Sequence, residues 1–488
     1  MRKKLLLISA AAVVAAPAGL SAQTAGRNLP ARYVQEAQQQ HQGVIEEFGG
    51  AETGARAAYV DGVGRRVARF SGVNPQAYRF TTLNSAVENA FAVPGGYIYI
   101  TRQLMGIMND EAELAFVLGH EVGHVAANHA QARQSAATRN TIGGILGAIL
   151  GSVIGGGFGD FISQAAQYGS QLQTLRFSRA QEYQSDQLGI RYMVNAGYDP
   201  AASASMLAAL TRASALESRV QGRENRSVPE WASTHPLSEN RVAQAAAEAR
   251  RTGRAGSGLR NREQFLNQVD GIIVGDDPAQ GVIEGRTFAH PDLRLAFTVP
   301  TGYLMQNGTT AVTIQGSAGQ AQFTGGRFNG SLDSYIGQVL RGLTGGRTQI
   351  QQVDGGRTTI NGIPATYFIG RAQTQSGTVD VSVFAYQWDQ NTAYSFTTLT
   401  QGGQGVGPFT SMVNSLRRIS TAEAAAIRPR VIDVVTVRQG DTVQSLASRM
   451  AYRDFQIERF TSLNGLAANA RLVPGQRVKL IVYGTRAQ

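Results

Sequence analysis

The pentapeptide His120-Glu121-Val122-Gly123-His124 restricts the fold more than any other stretch of the sequence. The surrounding segment, Asn109 to Gln131, has the periodicity of a helix. Residues four apart on a helix lie about 40° apart around its axis, so the two imidazoles can bind one metal ion. Glu121 can take a proton from water without being a ligand. The motif predicts a zinc site with His120 and His124 as ligands and Glu121 as general base.

A second segment supplies a third ligand, which a site with two histidines requires. Glu182 and Asp186 are four residues apart on a helix predicted to end near Asn195. We predict that Glu182 binds zinc and that Asp186 accepts a hydrogen bond from the outer nitrogen of a ligating histidine. A solvated acidic pair is the alternative. His129 is nine residues after His120, so on a continuous helix it points away from the metal, in a packing or hydrogen-bonding role.

His235 lies before a proline, in an extended conformation. Three roles stay open: donating to the oxyanion of a tetrahedral intermediate, binding zinc as a fourth ligand that keeps an enzyme latent, or capping a loop.

A pair of β-strands is predicted just before the metal helix, at Tyr78 to Leu83 and Ala90 to Ile100, with a turn at Pro94-Gly95-Gly96. The segment Asn89-Ala90-Phe91 would then form an edge strand that binds an extended peptide through its main chain. An ordinary structural hairpin is the alternative.

The ends of the chain suggest an exported, multidomain protein. Residues 1–22 have the charged, apolar and small-residue parts of a signal peptide cleaved near Ala22, an uncleaved anchor being the alternative. The length of 488 residues suggests about three units. The absence of cysteine excludes disulfides, and the net charge of +11 favours anionic envelope partners over nucleic acid, because the basic residues are dispersed. The glycine-rich segment 141–162 is predicted to cover the active site, with peripheral membrane contact as an alternative.

The ordered motifs together resemble the gluzincins, and more closely the soluble periplasmic branch of the HtpX-like and CAAX-prenyl-protease-like zinc endopeptidases. The resemblance covers roughly Arg32 to Arg251 and includes Thr234-His235-Pro236 and Arg241. It implies one Zn²⁺ per chain on His120, His124 and Glu182, with Glu121 as base, and a protease of envelope quality control. Members of that branch continue into helical repeats, whereas this sequence does not, so their partners are not carried over as a set.

The tail resembles a LysM domain. A strand precedes Gln439-Gly440-Asp441-Thr442, and two helices, Asn464-Gly465-Leu466 and Val473-Pro474-Gly475-Gln476 lead to a last strand. The resemblance implies peptidoglycan binding, with Gly440, Asp441, Thr442 and Asn464 as glycan contacts. A module that keeps only the fold is the alternative.

We therefore predict three folded units. They are a mainly α-helical (α+β) zinc-metalloprotease domain with a small edge sheet at 23–255, an α+β accessory domain at 256–421, and, after a linker at 422–432, a βααβ LysM domain at 433–484. The predicted function is a periplasmic zinc endopeptidase that acts on misfolded or envelope proteins, with the outer-membrane assembly machinery as a partner to be tested. Two alternatives remain: a peptidase of peptidoglycan cross-links, and a chaperone or scaffold for outer-membrane assembly.

Overall fold

The computed structural model describes residues 26–130, 177–220, 235, 239–344, 350–374 and 377–485. The predicted signal peptide and the glycine-rich segment 141–162 lie outside these residues. Within them the chain is multidomain, as predicted, with a helical N-terminal part, several sheets and a LysM-like C-terminal part. No helix in the described ranges is long and apolar enough to cross a bilayer.

The N-terminal part is built mainly of helices. They are α1 (Ala31–Glu47), α2 (Gly54–Ala68), α3 (Arg102–Ile107), α4 (Glu111–Ala126), α5 (Arg179–Asn195), α6 (Ala201–Val220), α7 (Glu239–Arg251) and α8 (Arg262–Val269). A small sheet has the order β1–β3–β2, with β1 (Arg79–Leu83), β2 (Ala90–Val93) and β3 (Tyr97–Thr101). Strand β1 is parallel to β3, whereas β2 is antiparallel to β3 and forms an edge of the sheet.

Helix α4 carries the HExxH motif through the centre of the largest apolar core. It begins after Asp110, whose side chain caps it by accepting a hydrogen bond from the Glu113 amide. It ends at Ala126, because Asn128 adopts a left-handed conformation with φ of 56°. The predicted helix, 109–131, is therefore too long: the chain turns back at Asn128 and brings His129 beside the motif.

Helices α4 and α5 approach each other closely at glycines. A Cβ atom added at Gly189 of α5 would lie 2.9 Å from the amide nitrogen of His120, and one at Gly119 would lie 3.3 Å from the Cα of Gly189. A Cβ atom added at Gly123 of α4 would likewise lie 3.3 Å from the carbonyl oxygen of Ser185. The absence of side chains lets the two backbones pack together, which places the carboxylates of α5 beside the histidines of α4.

The middle of the chain is rich in antiparallel strands. A seven-stranded sheet has the order β11–β12–β13–β14–β10–β9–β8, and a four-stranded sheet has the order β15–β7–β6–β5. These strands are β5 (Val282–Glu284), β6 (Thr287–His290), β7 (Leu295–Thr298), β8 (Leu304–Asn307), β9 (Ala311–Gly316), β10 (Gly319–Arg327), β11 (Gln351–Ile360), β12 (Ile363–Thr374), β13 (Gly377–Gln387), β14 (Thr392–Gln401) and β15 (Arg417–Arg418). The helices here are α9 (Leu332–Thr344) and α10 (Thr410–Val413).

Two predictions in this middle part were wrong in detail. The sequence predicts a β-run from Thr358 to Ile369, but Asn361 and Gly362, with φ of 52° and 76°, form a tight hairpin turn that divides it between β11 and β12. The sequence also predicts a helix at about Pro408 to Leu416; the structure has a 3₁₀ turn at Gly407–Phe409 that leads into α10, so the helix ends early, at Val413.

The LysM-like part packs against the apolar core that contains α4, the helix of the HExxH motif. Its elements are β16 (Arg430–Thr436), α12 (Val443–Ala447), α13 (Gln456–Asn464) and β17 (Arg477–Tyr483). They follow α11 (Thr421–Ala426), whose Ala424 packs with Ala296 of β7 in the middle part. Strand β16 pairs with β17 and also with β4 (Ile273–Val274), which follows α8. Ile432 belongs to the same core as α4. The segment predicted as a linker, 422–432, is thus occupied by most of α11 and the start of β16.

Candidate metal centre

Four buried side chains converge at the centre of the helical part. They are His120 and His124 of α4, Glu182 of α5 and His235, and one donor atom from each lies within 4.8 Å of all the others. None of the four is more than 3% exposed. The Nε2 atoms of the two α4 histidines are 3.0 Å apart, as expected for side chains one helical turn apart that turn toward a common point.

The spacing of these donors suits a tetrahedral metal ion. Ligand atoms about 2.0–2.1 Å from a tetrahedral Zn²⁺ lie about 3.3 Å from one another. Nδ1 of His235 is 3.3 Å from Nε2 of His120 and 3.0 Å from Oε1 of Glu182, and that oxygen is 3.5 Å from Nε2 of His124. Three imidazoles and one carboxylate are also the donor types that zinc binds. The residues therefore fit a zinc ion.

Asp186 and Arg241 hold the outer side of this cluster. Oδ1 of Asp186 is 2.9 Å from Nδ1 of His120, and its carboxylate accepts two hydrogen bonds from Arg241, at 2.8 and 2.9 Å. Arg241 also lies 2.9 Å from Oε2 of Glu182. Because Arg241 is on α7 and both carboxylates are on α5, this buried ion pair fixes one helix against the other while it orients the carboxylates.

Burial and these charges shift the pKa values in the centre. Burial lowers the pKa of His124 well below its usual value, despite its contact with Glu182. Burial also disfavours the charged form of His120, but the hydrogen bond and charge of Asp186, together with the charges of Glu182 and Glu121, outweigh it and raise the pKa of His120. Burial opposes ionisation of Glu182, yet His235, His124 and Arg241 hold its pKa well below the usual range. These shifts favour the ionised form of Glu182 and the neutral ring of His124, which are the forms that bind a metal, whereas the raised pKa of His120 favours its protonated ring in the absence of a metal.

Glu121 lies next to His235. Its Oε1 atom is 3.6 Å from Nε2 of His235, and its side chain is fully buried. His235 thus presents one ring nitrogen to the metal donors and the other to Glu121.

Two residues at the centre were not assigned to it from the sequence. Nδ1 of His129 is 2.9 Å from Nδ1 of His124, because the chain turns back at Asn128. The ring of Phe177 stacks on that of His124, with centroids 3.8 Å apart. Asn128 was the available signal for the first contact, since asparagine often ends a helix in the left-handed conformation; no local signal marks Phe177.

The predicted substrate strand borders an apolar cleft beside His124. The side-chain amide of Asn89 is fully buried and has no hydrogen-bond partner among the described residues. Strand β2 packs against α4, with Ala90 in the core that contains α4, whereas Phe91 is buried on the side of α1, against Phe48 and Tyr99. The cleft runs from this strand to Phe177 and has α1 on its other side. Its apolar lining comprises Leu29, Pro30, Tyr33, Ala92, Val93, Pro94, Val125, Ala130 and Phe177.

The predicted glycan contacts of the LysM-like part differ in exposure. Gly440 and Thr442 are exposed, and the Thr442 side chain caps α12. Asp441 accepts a hydrogen bond from the Arg438 amide. The side chain of Asn464 is buried, and its two polar atoms bond to the backbone N–H and carbonyl of Lys479, so it supports β17.

The helix pair and its donor set are those of a gluzincin metallopeptidase. Residues 54–249 match the profile of peptidase family M48, and residues 435–480 match that of the LysM domain. The first region is therefore a metallopeptidase domain of family M48, and a LysM domain follows it in the same chain.

Two curated relatives illustrate the similarity. The beta-barrel assembly-enhancing protease of Escherichia coli (strain K12) is 28% identical over 196 residues, which are 39% of this chain and 38% of the relative. The mitochondrial metalloendopeptidase OMA1 of Schizosaccharomyces pombe is 27% identical over 184 residues, 38% of this chain and 50% of that one. The chain thus spans 38% of the first of these relatives and 50% of the second. The solution structure of cyanobacterial PsbP from Synechocystis aligns with 30% of this chain and 98% of its own, at 9% identity and a TM-score of 0.23.

Proposed function

We propose that this protein is a zinc-dependent endopeptidase of the periplasm that cleaves misfolded or envelope proteins and is attached to peptidoglycan by its LysM domain. The observation that carries the proposal is the convergence of His120, His124 and Glu182, all buried, on one point beside Glu121. The name of the Escherichia coli relative suggests outer-membrane β-barrel assembly as the setting for the substrates.

His120, His124 and Glu182 would hold a single zinc ion. When bound, the ion supplies Lewis-acid polarisation of the scissile carbonyl and lowers the pKa of the attacking water. The carboxylate of Glu121 takes the proton of that water and passes it to the leaving amine. Asp186 keeps the proton of His120 on Nδ1, so that Nε2 keeps its lone pair for the metal.

His235 would keep the resting enzyme latent. Its Nδ1 lies at the distances from Glu182 and His120 that a fourth ligand requires, so it stands where a substrate or water must enter. Once the ring has left this position, its Nε2–H can donate to the oxyanion that develops on the substrate. The two roles are separated by the rate of a variant without the ring: latency predicts a rise, and the oxyanion role predicts a fall.

The substrate would lie in an extended conformation along β2. Strand β2 is an edge of the sheet in the described part of the chain and offers main-chain hydrogen bonds to an extended peptide. The apolar cleft beside His124 favours an apolar side chain next to the cleaved bond. Apolar segments of this kind are buried in folded proteins and exposed in misfolded ones, which accounts for the proposed substrate class.

The Glu121→Gln variant tests the enzymatic proposal. It removes the base but keeps the volume and the metal ligands, so we expect a full equivalent of zinc and a loss of casein cleavage of at least 100-fold. Zinc content and cleavage are measured on the same samples. Glu263→Gln, at a largely exposed carboxylate, is the matched control and keeps its activity. An active Glu121→Gln protein would refute the mechanism.

A second candidate function is cleavage of peptidoglycan cross-links. It is favoured by the way the LysM strand β16 pairs with β4 and packs into the core of α4, which holds the glycan-binding module next to the peptidase. Incubation with purified cross-linked muropeptides and, separately, with unfolded protein distinguishes the two substrates. Rescue of a deletion strain by Glu121→Gln would instead favour a chaperone or scaffold.

A further inference from the structure

The outer nitrogen of His124 faces another histidine, whereas that of His120 faces a carboxylate. Nδ1 of His124 is 2.9 Å from Nδ1 of His129, and the rings meet edge to face. On the other side of the His129 ring, Nε2 is 3.0 Å from Oε1 of Gln184. These three side chains form a chain of hydrogen bonds that leads from the surface of α5 to a metal ligand.

The chemistry of the three groups sets the direction of these hydrogen bonds. The amide oxygen of Gln184 can only accept, so Nε2 of His129 carries a proton. His129 is only 3% exposed, and such burial disfavours a charged ring. Nδ1 of a neutral His129 is then an acceptor, and the proton between the two rings belongs to Nδ1 of His124. Nε2 of His124 therefore keeps its lone pair and points toward the other donors.

We infer that His129 and Gln184 are positioning residues that hold His124 in the tautomer able to bind metal. This inference rests on the proposed zinc site. Neither residue is one of the four that converge as metal donors, and both act through His124. The arrangement also explains how the second histidine of the motif is oriented without a second buried carboxylate, which would add negative charge beside Glu182 and Asp186.

Gln184 allows a sharp test because it is exposed and the fold can tolerate different side chains there. Gln184→Glu keeps an acceptor at this position, whereas Gln184→Lys presents only donors and forces the proton of His129 onto Nδ1. The other tautomer of His124 is then favoured, which removes its Nε2 lone pair. Loss of such an outer partner typically weakens metal binding 10- to 100-fold. We expect about this loss for Gln184→Lys and none for Gln184→Glu.

The full-length protein is titrated with zinc against a chromophoric chelator, so that affinity is measured without reference to proteolysis. Gln187→Glu and Gln187→Lys, three residues along α5, add the same charges and control for simple electrostatics. A second pair acts on His129 itself: His129→Phe should weaken zinc binding at least 10-fold, and His129→Gln should restore part of it, because its amide oxygen can accept the proton of His124. The absorption spectrum of the Co²⁺-substituted protein should change in Gln184→Lys and His129→Phe only.

The outcomes separate the two proposals. Equal zinc affinities in Gln184→Glu and Gln184→Lys, after correction by the Gln187 pair, would overturn the positioning role while the zinc site stands. A wild-type protein that binds no zinc would overturn both. Zinc binding without any proteolysis would refute the proposed function, yet the affinity series would still decide the role of His129.

Discussion

Two carboxylates of α5 share one guanidinium but have different partners in the centre. Oε2 of Glu182 and Oδ1 of Asp186 both contact Arg241, at 2.9 and 2.8 Å. Only Glu182 joins the metal donors, because Asp186 is one turn further along the helix and reaches the opposite side of the His120 ring. Residue type alone does not separate these roles; position along α5 does.

Removing the charge of Asp186 should weaken metal binding. In Asp186→Asn the amide can present its N–H₂ group to Nδ1 of His120, which favours the wrong tautomer, and Arg241 loses a buried counter-charge. We expect zinc affinity to fall 10- to 100-fold in a chelator competition, with a lower melting temperature. Asp333→Asn, at an exposed ion pair, should change neither quantity. Unaltered affinity would show that His120 is oriented by other contacts.

Opening the fourth donor position should activate the enzyme. His235→Ala removes Nδ1 from its place 3.0 Å from Glu182. We expect the initial rate of casein cleavage to rise severalfold, while zinc affinity falls because a ligand is lost. His290→Ala, at a histidine of the middle part, serves as the control. A rate that falls with unchanged zinc content would assign His235 to the oxyanion alone.

At the scale of elements, the α4–α5 crossing determines whether the centre exists. The motif supplies two donors from α4, and the third comes from α5, which begins more than fifty residues later in the chain. Gly119, Gly123 and Gly189 allow the two backbones to come close enough for the Glu182 carboxylate to reach both imidazoles. Small side chains at this crossing are thus part of the metal site.

Gly189→Ala should damage both stability and metal binding. The new methyl group would lie 2.9 Å from the His120 amide nitrogen, so the helices must separate. We expect a destabilisation of about 1–3 kcal/mol, as for other overpacked cores, together with weaker zinc binding. Gly62→Ala on α2, where no atom lies within 4 Å of the new Cβ, is the matched control and should stabilise by about 0.5–1 kcal/mol. Chemical denaturation and zinc titration measure the two effects; equal behaviour of the two variants would contradict the packing argument.

At the scale of the whole molecule, one lysine joins the LysM domain to the peptidase. Lys479 is the only lysine after Lys4, so the chain otherwise uses arginine wherever a lysine or arginine occurs beyond residue 4. It lies on β17, is fully buried, and its Nζ donates to the carbonyls of Gly106 and Met108, just before α4. An amine can lose its proton in such a position, whereas a guanidinium stays charged.

This buried amine should make stability depend on pH. Burial lowers the pKa of Lys479 to about 7, against about 10.4 in an unfolded chain. Between these values the unfolded chain binds a proton that the folded chain does not, so stability rises with pH from about 7 to about 10. We expect the melting temperature of the wild type to rise across this window relative to that of Lys479→Met. Lys479→Arg should be destabilised at every pH, and parallel curves for wild type and Lys479→Met would refute the assignment.

The sequence by itself indicated most elements of the helical part and three members of the donor set, while three roles stayed open for the fourth, His235. The HExxH spacing and the ExxxD pair each carry a local pattern, whereas His235 is one of two histidines that precede a proline, the other being His290. The apolar spacing of residues 31–47 and 201–218 predicts helices, and these agree closely with α1 and α6. It also indicated both matched domains, because their motifs recur in a fixed order.

Tertiary structure alone decided how these parts meet. A helical wheel directed His129 away from the metal, but the left-handed Asn128 ended α4 and returned that ring to His124. Residues 422–432 have no strong periodicity and suggested a linker, yet β16 gains a pairing partner in β4 from the distant segment after α8. Local patterns reflect backbone preference and amphipathicity, whereas these contacts depend on where a chain reversal or a distant strand lies, which no short stretch of sequence encodes.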